Sequence, residues 1–158
     1  LNKTIYLFTD GSVNTQTKVG VGGYLVCEPS DLESKTKPQV HLREFQNTSS
    51  TKLELQTFLW AINSCKFNNQ EIIAFSDSQN LIGLDSRKEK LYRNDFKSGS
   101  DKPLKNADLY REYFNITEGL NIKLLKLKGH SKTSLKNEFD QLFKLVDRAT
   151  RKALRDLS

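Results

Sequence analysis

The sequence predicts an α/β protein in which helices pack on one mixed β-sheet. Three observations carry this. Short β-type stretches lie near residues 4–8, 20–26, 40–45, 71–75 and 122–127, helical periodicity marks residues 53–65 and 138–157, and the order runs three strands, helix, strand, helices, strand, helix.

Thr4 to Phe8 alternates β-branched and aromatic residues and runs into Thr9-Asp10-Gly11-Ser12, so it reads as a strand ending in a turn. Gly20 to Val26 and Val40 to Phe45 read as two further strands of an antiparallel meander, joined through a polar connection at Ser30 to Pro38. Gly20, Gly22 and Gly23 fit no phosphate-loop pattern, because no Gly-Lys-Ser/Thr and no helix follow; glycines in a strand mark a bulge or a close backbone approach. Leu53 to Cys65 has apolar residues at 55, 58, 59 and 62, the helical period, with Ser49, Ser50 and Thr51 ahead of it to cap the start. Trp60 lies beside that apolar face and reads as core.

Glu71 to Phe75 is a short apolar run ending in Ser76-Asp77-Ser78, a buried strand followed by an acidic turn. Gln79 to Leu84 opens another helix, residues 86–106 are polar and basic, Ala107 to Ile116 resumes a helical pattern, and Ile122 to Leu127 alternates as a strand. The chain closes on Glu138 to Leu157, whose apolar positions 139, 142, 143, 146, 149, 153, 154 and 157 form one stripe of an amphipathic helix. No repeat or linker interrupts this order, and residues 1–158 are expected to form a single domain.

Composition narrows the function classes. Charged residues are 28% and hydrophobic ones 36%, an ordinary soluble balance, and no apolar run approaches the ~20 residues of a membrane span. The N-terminal stretch lacks the apolar core and cleavage site of a signal peptide, so a cytoplasmic location is expected. Cys27 and Cys65 are too few for a zinc set or a disulfide framework and read as buried thiols. The absence of Met, position 1 included, points to a trimmed chain or a domain cut from something longer. A net charge of +6 and a pI near 9.3 suit a polyanionic partner.

Asp10 and Asp77 each follow a predicted strand, and Glu54 sits in the first turn of the predicted long helix. Converging carboxylates repel one another, so either their pKa values rise or a hard divalent cation neutralises them. Acidic ligands without a Cys or His cluster suit Mg²⁺ or Mn²⁺ better than zinc. Taken singly, each acid also has an ordinary reading: Asp10 and Asp77 opening turns, Glu54 favouring a helix N-terminus.

Six motifs in order resemble type 1 ribonuclease H: T-D-G-S at 9–12, T-S-S-T-K-L-E-L at 48–55, S-D-S at 76–78, D-K-P-L-K-N-A-D-L at 101–109, K-G-H-S at 128–131 and V-D-R-A-T-R-K-A-L at 146–154. The resemblance covers nearly the whole chain. It implies a three-layer fold, a five-stranded mixed sheet with helices on both faces, and an endonuclease that hydrolyses the RNA strand of RNA/DNA hybrids. It further implies a two-metal-ion mechanism leaving 5′-phosphate and 3′-hydroxyl ends, with Mg²⁺ as cofactor, Mn²⁺ possible, and no small-molecule cofactor. Asp10, Glu54, Asp77 and Asp147 would be its metal-binding carboxylates, and His130, in the Gly-His-Ser context, would assist proton transfer. Asp140 lies seven residues before Asp147 on nearly the same helical face, and periodicity does not separate them; the resemblance favours Asp147 because R-A-T-R-K-A follows it. His41 has no such context.

A hybrid nuclease must read a 2′-hydroxyl on one strand and tolerate its absence on the other. The resemblance assigns that task to Gly11, Ser12, Ser50 and Thr51, with Ser and Thr at 50 and 51 where many cellular members carry asparagines. Residues 87–105, with Arg87 and Lys88 at their start and Tyr92 and Phe96 interleaved, resemble the family's basic protrusion, and Asn106 matches a polar position near the substrate. An RNA/DNA hybrid is therefore the expected partner of a monomer with no membrane association. Two other readings stay open on the residues: a catalytically silent nucleic-acid-binding module, and a DNA nuclease or transposase-like enzyme on the same fold.

Overall fold

The computed structural model describes residues 3–34, 37–127 and 136–157. Five strands form one sheet in the order β3-β2-β1-β4-β5: β1 Thr4–Asn14, β2 Val19–Cys27, β3 His41–Phe45, β4 Glu71–Ser76 and β5 Asn121–Lys126. β1, β2 and β3 pair antiparallel, whereas β4 joins β1 in parallel and β5 joins β4 in parallel. The parallel pairs need crossovers, and helices supply them: α2 Ser50–Ser64 leads into β4, and α5 Ala107–Thr117 leads into β5. The mixed sheet with helices on both faces is the one the sequence led us to expect.

Side-chain alternation along the strands divides the core in two. Leu7, Ile72 and Ala74 pack with Leu55, Phe58 and Leu59 of α2 and with Tyr113 and Phe114 of α5. On the opposite face Phe8, Leu25 and Phe75 pack with Phe139, Leu142 and Val146 of the long C-terminal helix α6, Lys136–Asp156. Phe8 stacks on Phe75 with ring centroids 4.9 Å apart, and Phe75 meets Phe139 at 4.8 Å.

Several elements depart from the expectation. β1 does not end at Phe8: it runs through Thr9-Asp10-Gly11-Ser12 to Asn14, paired throughout with β2, and the chain turns only at residues 15–18. α2 begins at Ser50, capped by the Ser49 side chain, which puts Glu54 beyond the first turn. The polar connection after β2 contains a six-residue helix, α1 Pro29–Ser34. After β4 come α3 Gln79–Ile82, a 3₁₀ turn Asp85–Arg87 and α4 Lys88–Arg93, the last two inside the stretch read only as polar and basic. Cys27 is buried, as expected, but Cys65 is only half-buried. Among the described residues, no helix is long and apolar enough to cross a membrane.

Candidate active site

The sheet order reverses between β1 and β4, because the chain first builds β2 and β3 on one side of β1 and then returns to place β4 on the other. Connections leaving such a point in opposite directions open a crevice at the carboxyl ends of the strands. Asp10 lies there, two residues beyond Phe8, the last β1 residue paired with β4, and opposite Gly23 of β2. Asp77 follows Ser76, the last residue of β4. The two acids thus stand side by side at the ends of a parallel pair.

Alternation decides which helix each acid meets. Asp10 is in phase with Phe8 and faces α6, where Asp147 comes within hydrogen-bonding reach of it. That geometry separates Asp147 from Asp140, which periodicity alone left equivalent. Gly11 points to the other face, against Leu53 of α2. Glu54, the next residue of that helix, shares a cavity of about 10 Å³ with Thr9, Asp10, Thr57, Ser76, Asp77 and Ser78. Two faces of the sheet therefore contribute to one site. Glu54 lies outside the first turn of α2, so the helix dipole does not account for it.

Burial is the main force raising the Asp10 carboxyl to about 7; the Gly11 N–H opposes it, and the hydrogen bond to Asp147 and the charges of Asp147 and Asp77 add to it. Glu54 is raised as well, again chiefly by burial, with a hydrogen bond from Ser78 opposing and the charge of Asp77 adding. Ser78 is itself fixed, because its hydroxyl accepts from Leu81 N at 3.1 Å. Asp147 bonds Arg151 Nε at 3.0 Å one turn along α6, and its carbonyl accepts from Thr150 Oγ1 at 2.9 Å, whose hydroxyl lies 3.1 Å from Ser12 Oγ. Ser12 is thereby tied to α6.

This donor set suits a hard cation: carboxylate oxygens only, with one carboxyl raised to about 7, chiefly by burial and further by its acidic neighbours. Among the described residues, no group of three or more His, Cys, Asp or Glu is placed to hold a metal ion as the side chains stand. Mg²⁺ does not require such a group, since it keeps several waters and binds through one or two carboxylates plus substrate phosphates. In donor chemistry the residues fit the ion.

One turn before Glu54, the start of α2 borders an open groove of about 540 Å³ whose lining includes Lys18, Ser49, Ser50, Thr51, Lys105 and Asn106. Lys18 holds a left-handed backbone at φ 61° and closes the β1–β2 hairpin through its N–H to Asn14 O at 2.8 Å. Asn106 is at the N-cap of α5 but makes no side-chain cap bond. Arg87 is turned inward, with Nη2 bonding Asn80 O and Oδ1 at 2.8 and 2.9 Å, whereas Lys88 is exposed and lies over the Phe114 ring at 5.6 Å. His130 lies outside the described residues.

Thr57, Ser78, Arg151 and Lys18 carry no individual role in the sequence reading, whereas Lys105 enters it as the end of the basic segment 87–105. Arg151 carried a usable signal, a cation four residues after Asp147 on a helix, and Thr57 carried another, a polar residue three after Glu54 on the buried side. Lys18 carried none, because only the fold brings it to one groove with Lys105.

Known proteins share this architecture. A type 1 RNase H with a type 2 active-site motif, LC9-RNase H1, superposes with a TM-score of 0.68 at 15% identity, covering 97% of this chain and 72% of its own. A foamy viral protease-reverse transcriptase solved with an RNA/DNA hybrid gives 0.69 at 11% identity over 95% of this chain and 19% of that one. In sequence, the ribonuclease H of Chlorobaculum parvum is 25% identical over 148 residues, 92% of this chain and 97% of the relative. That of Caldicellulosiruptor saccharolyticus is 26% identical over 147 residues, 89% and 93% of the two chains. The sequence model of the family described as RNase H matches residues 2–154. The chain belongs to the RNase H family.

Proposed function

We propose that this enzyme hydrolyses the RNA strand of RNA/DNA hybrids with Asp10, Glu54, Asp77 and Asp147 as the carboxylates that hold two Mg²⁺ ions, Mn²⁺ being able to replace them. The carrying observation is the convergence of acids from both faces of the sheet at the β1–β4 switch point, with Asp10 raised to about 7. When bound, the ions supply an activated water and stabilise the leaving oxygen, giving 5′-phosphate and 3′-hydroxyl ends.

The chain's own residues do the rest. Ser78 fixes Glu54, Gly11 N–H and the β1–β2 pairing hold Asp10, and Arg151 restrains Asp147. Ser50, Thr51 and Asn106 offer short polar groups in the groove that starts one turn before Glu54, suited to a 2′-hydroxyl and its neighbouring phosphate; Gly11 and Ser12, which follow Asp10 on β1, add further contacts. Lys18 and Lys105 bring positive charge to the same groove, and Lys88, exposed on α4, offers the substrate a further cation; Arg87 serves by bracing that segment against Asn80. His130 carries protons to or from the reacting oxygens. The enzyme acts as a monomer in the cytoplasm, a setting in keeping with its two free thiols.

The test is a competition among substrates. With Mg²⁺ present, a labelled hybrid should yield RNA fragments with 5′-phosphates, while single-stranded RNA, duplex RNA and duplex DNA stay intact. Cleavage of duplex DNA in preference to the hybrid would overturn the reading.

A further inference from the structure

The cavity beneath the acids is lined by a threonine that the reaction as described does not use. Thr57 is on α2, three residues after Glu54 and so one turn along the same face, and is only 1% exposed. Its Oγ1 is fully buried and, among the described residues, has no hydrogen-bond partner. A buried hydroxyl without a partner is costly, by about 1–3 kcal/mol, and is uncommon in folded proteins. Thr57 also lines the cavity of about 10 Å³, together with Thr9, Asp10, Glu54 and Ser76. A single water needs roughly 10–15 Å³ and two to four polar partners; this cavity lies at the lower end of that range and its lining is polar.

The site is also built to admit Thr57. A Cβ at Gly22 would lie 2.1 Å from Thr57 Oγ1, so only glycine at that β2 position lets the hydroxyl take its place against the sheet.

We propose that Thr57 is a positioning residue for Glu54: its hydroxyl holds one ordered water in this cavity, and that water hydrogen-bonds the Glu54 carboxylate and fixes its direction. The inference rests on the reading of Glu54 as a metal-holding carboxylate. Groups that orient a ligating carboxylate change metal affinity or activity by about 10–100-fold when removed. Thr57 acts at that remove, through Glu54.

Thr57→Val keeps the shape and deletes the hydroxyl, and Thr57→Ser restores it. The full chain and both variants would be titrated with Mn²⁺ alone by calorimetry, without substrate, and assayed for hybrid cleavage across Mg²⁺ concentrations. The proposal expects Thr57→Val to keep its thermal midpoint, lose roughly ten-fold in Mn²⁺ affinity and need correspondingly more Mg²⁺, with Thr57→Ser close to the unmodified chain. A high-resolution crystal structure of the unmodified chain should contain a water within hydrogen-bond distance of both Thr57 Oγ1 and a Glu54 oxygen. Equal Mn²⁺ affinity in Thr57→Val and the unmodified chain overturns the proposal, as does a crystal structure without that water, which decides the matter even if Thr57→Val fails to fold. An unmodified chain that binds Mn²⁺ but cuts no hybrid defeats the nuclease reading, and the titration still judges Thr57; one that binds no Mn²⁺ defeats both.

Discussion

The carboxyl of Asp10 is raised from 3.8 to about 7, first by burial and then by Asp147 and Asp77, and the sign of that shift has a consequence for stability. An acid whose folded pKa exceeds its unfolded one stabilises the fold in its protonated form. The contribution is full below about pH 4 and is lost as pH rises through 7. In the metal-free protein, Asp10→Asn should therefore raise the thermal midpoint at pH 8, by an amount that shrinks to nothing near pH 4; a gain independent of pH would contradict the assignment. Asp147 meets Asp10 whereas Asp140 lies two turns away on α6, so Asp147→Asn should lower hybrid cleavage at least about 100-fold and Asp140→Asn should stay within about two-fold. Steady-state rates on one substrate decide this. At this scale the sequence was readable where a residue type announces its chemistry, as the acids do. Thr57 and Ser78 did not, because their roles come from burial beside Glu54.

Among the elements, α2 shows how closely the site depends on backbone packing. Gly22 lets α2 settle against β2, and a methyl there would meet Thr57 Oγ1 and Cβ at 2.1 and 3.0 Å. Gly22→Ala should lower unfolding stability by about 1–3 kcal/mol, read as a shift in urea midpoint with unchanged slope. An unshifted midpoint would mean that α2 does not pack as described. The long periodic segments, α2 and α6, were legible because repeated apolar spacing leaves few alternatives. β1 was legible only to Phe8. Beyond it Thr9 to Asn14 carries almost no apolar alternation, and the strand is extended by its pairing with β2, a long-range partner that local pattern does not reveal. α1 and α4, six residues each, are too short to display a helical period.

On the scale of the whole molecule, a net charge of +6 pointed to a polyanion, but only the fold brings Lys18 and Lys105 from distant segments to the groove beside the acids. Each phosphate contact releases counterions and steepens the salt dependence of binding. Replacing Lys18 and Lys105 together with alanine should weaken hybrid binding and reduce the slope of log affinity against log salt by about two, with Mn²⁺ binding unchanged. An unaltered slope would remove these lysines from the interface. In the molecule as a whole, acids from both faces of one sheet form what we propose to be a single hybrid-cutting centre. The most direct measurement is the rate at which the full chain, in Mg²⁺, cuts a hybrid labelled on its RNA strand, taken beside Asp10→Asn. RNA fragments should come from the unmodified chain and none above background from Asp10→Asn; equal cleavage by the two, or none by either, would contradict a single acidic centre.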